Sequence, residues 1–245
     1  MLSFIVPAYN EQFLIGRTLG ALHAAAGTLR EPYEVIVADD ASTDETAAIA
    51  RAHGAQVVSV SHRQIAATRN AGARQARGEF LFFVDADTLV PAAAVGEAVH
   101  VMRPGAVGGG CVFRIDGRLP LWTRILYPLA VSVMRRVKLV GGCSLFCTHE
   151  AFLAVGGFDE TYYAAEELAF LAALKRRGRV VIPKAWVTTS GRKLRTVPAR
   201  ETLASLFRLS LSGPDGFRRR EGLELWYGPR KPDPEEPPND PLRRP

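Results

Sequence analysis

The sequence predicts an α/β fold built on a doubly wound, mostly parallel sheet flanked by helices. Three observations carry that prediction. Phe80-Leu81-Phe82-Phe83-Val84 is a continuous apolar run, and a run apolar on both faces belongs in a central strand covered on both sides. Two further apolar segments, residues 2–6 and 34–38, end as this one does, in polar or acidic residues. The endings are Pro7-Ala8-Tyr9-Asn10-Glu11, Asp39-Asp40-Ala41-Ser42-Thr43-Asp44 and, after the central run, Asp85-Ala86-Asp87-Thr88. Helical segments separate the strands, and such alternation makes a parallel sheet.

Taken in order, residues 11–26 read as a helix with Phe13, Leu14, Leu19 and Leu22 available to the sheet. Ser42 with Glu45 three residues on fits a capping box, which starts a helix over residues 43–53, and Gly54 suits its C-terminal cap. Residues 56–60 read as a strand, 65–76 as a helix ended by Gly78, and 92–102 as a helix. Residues 105–110 are glycine-rich and 111–115 read as a strand. Residues 121–137 place Trp122, Ile125, Leu126, Leu129, Val133 and Val137 at helical spacing, with a kink at Pro128. Residues 140–146 read as a strand bracketed by Gly141-Gly142, 166–175 as a helix, 179–182 as a short strand and 202–211 as an amphipathic helix. From residue 213 on, proline and charge replace apolar residues, the composition of a disordered tail.

Composition narrows the class. The 245 residues are 47% hydrophobic, enough for one domain with a substantial core. Cys111, Cys143 and Cys147 are too few and scattered for a disulfide framework, and no ligand-spaced Cys/His cluster suggests zinc. No apolar run reaches the ~20 residues of a membrane-spanning helix, and the N-terminus lacks the basic region of a signal peptide. A reducing cytoplasm is the expected home, at the inner face of a membrane if a membrane is involved. Net charge is +6, concentrated in residues 171–220, a stretch that suits an anionic lipid surface, a diphosphate or nucleic acid.

The chemistry lies at the strand ends. Open α/β sheets bind ligands just beyond the carboxyl ends of their strands. Asp85 and Asp87, spaced i, i+2 there, can share a hard divalent cation, which commonly sits between protein carboxylates and substrate phosphates. Tyr9 can offer a stacking face to a base, and Asp39 or Asp40 an acceptor for a base N–H or a ribose hydroxyl. Arg192 and Lys193 follow a short polar run and suit a mobile basic lid over a diphosphate.

With these pieces the chain resembles the family 2 glycosyltransferases, which have the nucleotide-sugar-binding GT-A fold. The resemblance rests on the first and second strand endings, Thr68-Arg69-Asn70-Ala71-Gly72-Ala73, Asp85-Ala86-Asp87, and Gly156-Gly157-Phe158-Asp159-Glu160 followed by Glu166-Glu167, all in the family's order. It implies transfer of a sugar from a nucleotide-diphosphate sugar to an acceptor hydroxyl, with inversion and with Mg²⁺ or Mn²⁺. It places Pro7, Tyr9, Glu11, Asp40, Arg69 and Asn70 around the nucleotide and favours Asp40 over Asp39 for the base. It makes Asp87 the direct metal ligand, with Asp85 nearer the ribose and Ala86 between them. Gly157, Phe158 and Asp159 fall on the acceptor side, where Gly141 and Gly142 are also expected. The family's base lies in a Glu-Asp pair; here the pair is Glu166-Glu167, so Glu167 is the expected base on a side chain one methylene longer, with Glu166 orienting. The Gln-x-x-Arg-Trp motif of processive synthases is absent, which favours single-residue transfer.

The expected division is residues 1–212 as the catalytic domain, with 1–90 for the nucleotide sugar and 91–212 for the acceptor, then the tail 213–245. The basic stretch and the 121–137 helix suit a lipid-linked acceptor and peripheral contact with anionic membrane; no nucleic-acid partner is expected. Two other readings stay open. A sugar-1-phosphate nucleotidylyltransferase shares the sheet architecture, but its Gly-rich basic loop after the first strand is replaced here by Pro7–Glu11 residues. A non-catalytic nucleotide-sugar- or lipid-binding protein is the other.

Overall fold

The computed structural model describes residues 1–117 and 140–198, together with residues 127, 129, 131, 132, 136, 200–202, 204, 216–223, 227, 228 and 233. The expected helices over 121–137 and 202–211 lie almost wholly outside the described residues. So does most of the expected tail.

The strands are β1 Leu2–Ala8, β2 Tyr33–Asp40, β3 Gln56–Val60, β4 Phe80–Val84, β5 Thr88–Leu89, β6 Gly108–Gly110, β7 Val112–Ile115, β8 Ser144–Thr148, β9 Val180–Val181 and β10 Trp186–Thr189. The helices are α1 Ile15–Leu29, α2 Thr46–Ala52, α3 Ile65–Ala73, α4 Ala92–Met102, α5 His149–Val155, α6 Glu166–Arg177 and α7 Arg192–Thr196. Seven strands form the main sheet in the order β3-β2-β1-β4-β8-β6-β9, and β5-β10-β7 form a second, small sheet. The first four strands run parallel; β8 runs antiparallel to both β4 and β6.

Alternation along the central strands sorts their side chains onto two faces. Phe4, Val6, Phe80 and Phe82 face one core with Leu19, Leu22, Val95 and Val99 of α1 and α4. Ile5, Leu81 and Phe83 face the other, with Phe152, Phe158, Phe170 and Leu174. The register Ala8↔Asp39, with Ile5↔Phe83 on the other side, brings the polar ends of β1, β2 and β4 to one edge of the sheet.

Several boundaries differ from the sequence reading. Helix α1 starts at Ile15, not residue 11, because residues 11–14 form a turn in which the Glu11 carbonyl accepts from Leu14 and Ile15 N–H. Helix α2 starts at Thr46 without a capping box: the Ser42 hydroxyl instead accepts from Asn10 N–H, and Asp44 accepts from Thr46 N–H. Helix α3 ends at Ala73, ahead of Gly78, whose hydrogen packs on the Ser3 backbone, 2.8 Å from where a Cβ would sit. The glycine-rich run is itself a sheet strand, since a Cβ on Gly109 would sit 1.8 Å from the Val181 carbonyl. Strand β8 begins at Ser144, four residues later than expected, and the sequence reading missed α5, capped by the Thr148 hydroxyl accepting from Ala151 N–H. Among the described residues of 213–245, Leu223 is buried, and the Phe217 carbonyl accepts from Tyr163 N–H. Asp233 accepts from Arg195 at 2.6 Å. No helix among the described residues is long and apolar enough to cross a membrane.

Candidate active site

The edge where β1, β2 and β4 end carries a group of partly buried acids. Asp40 closes a turn. Its Oδ1 accepts from His62 N–H at 2.7 Å and Arg63 N–H at 2.9 Å, and its Oδ2 from Gln64 N–H at 3.2 Å and Thr68 Oγ1 at 2.9 Å. Four donors fill a carboxylate's lone pairs. The turn holds Arg63 at φ +51° with its guanidinium carbon 3.4 Å from the Tyr9 ring centroid. Neighbouring Asp39 differs: its Oδ1 is buried with no hydrogen-bond partner among the described residues. An acceptor left in that condition is costly unless something donates to it. Pro7 is buried within β1, one residue short of the Ala8–Asp39 pair.

Past β4, Asp85 N–H donates to the Cys143 carbonyl at 3.0 Å, and Ala86 is buried, its carbonyl accepting from Thr18 Oγ1 at 2.8 Å. These contacts fix the turn that presents Asp87. Thr88 and Thr189 hydroxyls lie 3.4 and 3.3 Å from Asp87 Oδ1, and its carbonyl accepts from Ser190 N–H. Burial, then the charges of Glu11 and Asp85, push Asp87 up to about 6, against the pull of Lys193 and Arg192. An excess of negative charge of this kind is what a bound cation relieves. Among the described residues no group of three or more His, Cys, Asp or Glu could hold a metal alone.

Arg192 and Lys193, expected as a basic lid, open the short helix α7. Arg192 is buried and forks onto Glu11, with both Nη atoms 3.2 Å from the two carboxylate oxygens. Its Nη2 is also 3.9 Å from Asp87 Oδ2. Lys193 follows on the same helix and is among the charges lowering Asp87.

Glu166 and Glu167 open α6. Arg69 Nη1 donates to Glu166 at 2.6 Å, and Nη2 donates to Asp85 and to the Gly142 carbonyl, each at 2.8 Å. Burial raises the Glu166 pKa while the Arg69 charge opposes it. Burial, then the neighbouring Glu166 charge, raises Glu167 to about 7. The two titrate as a pair, and the direct ion pair with Arg69 favours the charged form of Glu166 against its burial. Glu167 packs on Gly142, where a Cβ would come within 3.4 Å of its Cγ and carboxyl carbon.

Other expected site residues sit around this cluster rather than in it. Asn70 donates to the Phe158 carbonyl at 2.8 Å and to Glu160 at 2.9 Å, and accepts from Phe158 N–H at 2.9 Å. Phe158 lies in the core, its ring 4.2 Å from Phe170 and 4.9 Å from Phe83. Gly157, at φ +76°, lets the backbone pass Asn70. Asp159 is exposed and accepts from Thr161 N–H and Oγ1. Gly141 packs on Phe113. The sequence reading missed Arg63, Thr88 and Thr189. Arg63 and Thr88 each had a signal, a place just past the end of a strand, and neither was given a role.

Comparison with known proteins fits this arrangement. The sequence model of Glycosyl transferase family 2 matches residues 3–158, and the chain belongs to that family. Validoxylamine A glucosyltransferase from Streptomyces hygroscopicus subsp. limoneus is 36% identical over 130 residues, 49% of this chain and 28% of that protein. Undecaprenyl-phosphate 4-deoxy-4-formamido-L-arabinose transferase from Pseudomonas paraeruginosa (strain DSM 24068 / PA7) is 31% identical over 156 residues, 59% of this chain and 46% of that protein. The chain thus spans less than half the length of these relatives. Among solved structures, mannosyltransferase PcManGT from Pyrobaculum calidifontis, in complex with GDP-Man and Mn²⁺, superposes with a TM-score of 0.65 at 21% identity, covering 92% of this chain and 68% of that one. Glucosyl-3-phosphoglycerate synthase from Mycobacterium tuberculosis, with Mn²⁺, UDP and glucosyl-3-phosphoglycerate, gives 0.55 at 19% identity, covering 96% and 81%. The fold is that of the GT-A glycosyltransferases.

Proposed function

We propose that this chain transfers a single sugar from a nucleotide-diphosphate sugar to an acceptor hydroxyl, with inversion and with a divalent cation. The observation that carries the reading is the convergence on one guanidinium of Asp85, at the cation end, and Glu166, beside a base candidate raised to about 7. The nucleotide lies over the ends of β1 and β2, with Tyr9 and Arg63 at the base and Asp39 accepting from a base N–H. Asp40 serves by holding the turn that carries Arg63. Asp87, with Asp85 beside it, would hold a divalent cation, and that ion would supply neutralisation of the negative charge on the departing diphosphate. Arg192 and Lys193 face the same diphosphate. Glu167 takes the acceptor hydroxyl proton as its oxygen bonds to the anomeric carbon; the carbon–oxygen bond to the diphosphate breaks and the electron pair leaves with it. Residues 1–90 thus serve the donor, and residues 91–212 the acceptor, apart from Arg192 and Lys193 at the donor diphosphate.

The test is a screen of UDP-, GDP- and dTDP-sugars with Mn²⁺, Mg²⁺ or EDTA. Metal-dependent release of one nucleoside diphosphate, lost in Glu167→Gln, is expected. Release of pyrophosphate from a nucleoside triphosphate and a sugar phosphate would point to a nucleotidylyltransferase instead. A lipid-linked acceptor is favoured by the relative named for undecaprenyl-phosphate and by the basic 171–220 stretch. It requires pelleting with anionic vesicles that weakens with salt; no pelleting at low salt would remove it.

A further inference from the structure

We infer that Arg69 is a positioning residue of the transfer reaction, the strut that fixes the carboxylate pair at the start of α6 against the turn carrying Asp85 and Asp87. This rests on the proposed role of Glu167 as base. Three features of the structure argue for it over a place in the nucleotide pocket.

The first is burial: Arg69 is 1% exposed, and its guanidinium carbon lies 5.3 Å from the Phe158 ring centroid, so an aromatic ring covers it. The second is where its hydrogen bonds go. They reach Asp85 after β4, Gly142 before β8 and Glu166 on α6, three segments far apart in sequence. The third is the start of α6 itself. Its N-cap residue, Ala165, makes no side-chain cap bond and sits in the left-handed region at φ +59°. An uncapped first turn frays readily. The Arg69–Glu166 ion pair at 2.6 Å supplies from outside the tether that a cap would give from within. Since Glu167 is the next residue, the strut also sets where the base sits relative to the cation end. With its own carboxylate engaged by Arg69, Glu166 leaves Glu167 as the carboxylate that can move a proton. A lysine cannot replace the fork, because one ammonium does not span acceptors presented from three directions.

The experiment compares Arg69→Lys, Glu166→Gln and Glu166→Ala with the unaltered chain. Three readouts are taken: nucleoside-diphosphate affinity with Mn²⁺ by calorimetry, kcat and donor KM, and amide hydrogen exchange along α6. A misplacement of about 1 Å costs about 100-fold in kcat. Arg69→Lys and Glu166→Ala are expected to lose on that order in kcat while nucleotide affinity stays within about threefold of the unaltered chain. Exchange should rise in the first turn of α6 and not at its end. Glu166→Gln keeps an oxygen to accept from Arg69 and is expected to restore first-turn protection and most of kcat relative to Glu166→Ala. Nucleotide affinity that falls in step with kcat in Arg69→Lys would place Arg69 in the donor pocket and overturn the inference. Equal exchange in the Gln and Ala variants would overturn it as well. If Arg69→Lys does not fold, the Glu166 pair alone decides, because both variants leave the Arg69–Asp85 and Arg69–Gly142 bonds in place. Glu167→Gln with full activity would instead remove the base assignment, and the exchange pattern would still report on the strut.

Discussion

A base raised to about 7 gives the proposed reaction a pH signature. The perturbation is pH itself, across 5.5 to 8.5, at saturating Mn²⁺ and donor. Only the ionised carboxylate accepts a proton, so a group with its midpoint near 7 is about one-tenth active at pH 6 and about nine-tenths active at pH 8. Turnover should therefore rise about tenfold between those points and level off above them. Burial and the Glu166 charge are the causes of the shift, and the second can be removed. Glu166→Gln deletes a neighbouring negative charge, so the limb should move to lower pH. Asp87, raised to about 6, could produce a similar limb by losing its cation as it protonates. Raising Mn²⁺ tenfold moves a limb of that origin to lower pH and leaves a Glu167 limb where it is. Nucleoside-diphosphate release, followed continuously, is the assay. A flat profile between pH 6 and 8, or a limb that Glu166→Gln moves upward, would refute the reasoning.

Four further outcomes follow from particular contacts. Asp39→Ala should weaken nucleoside-diphosphate binding by about tenfold or more, the worth of a hydrogen bond to a charged group, with little change in Tm. Asp40→Ala should instead destabilise the fold by about 3 kcal/mol, because three backbone N–H groups lose their acceptor at once while Thr68 Oγ1 can still donate to the Gln64 carbonyl; urea unfolding of both variants separates the roles. Phe158→Ala should cost about 3–5 kcal/mol in the same experiment, since the ring is buried among Phe83, Phe152 and Phe170; a loss under about 1 kcal/mol would remove Phe158 from the core. Arg192→Ala should raise donor KM and also lower stability, because it breaks the buried ion pair with Glu11; an unchanged KM in the folded variant would detach α7 from the diphosphate.

Much of this architecture is written in local pattern. The parallel half of the sheet was legible because strands buried on both faces must be apolar throughout, and Phe80–Val84 occupies the span read for it. The starts at Ile65, Ala92 and Glu166 were legible too, but the start of α2 was not, because long-range partners outcompeted its local cap. Ser42 spends its hydroxyl on Asn10, 32 residues away, and Asp44 takes the role at Thr46. The glycine strand β6 was invisible to a hydrophobicity pattern, since close backbone packing and not side-chain burial selects its residues. At the site, the acids were legible by type and position, but their partners were not. Asp39 and Asp40 are adjacent and chemically identical, yet alternation along β2 sends one to a turn of backbone N–H groups and leaves the other without a donor. Arg69 and Asn70 look alike as exposed helix residues in sequence; packing of α3 against the sheet turns both inward.

The central claim is that Asp87 brings a divalent cation and a nucleoside diphosphate together. The most direct measurement is calorimetric titration of UDP, GDP and dTDP into the purified chain, with Mn²⁺ and with EDTA, beside Asp87→Ala. The expected result is one nucleotide that binds with Mn²⁺, binds about tenfold or more weakly in EDTA, and loses that dependence on metal in Asp87→Ala. Nucleotide binding that is equal with Mn²⁺ and EDTA, and equal in Asp87→Ala, would contradict the account.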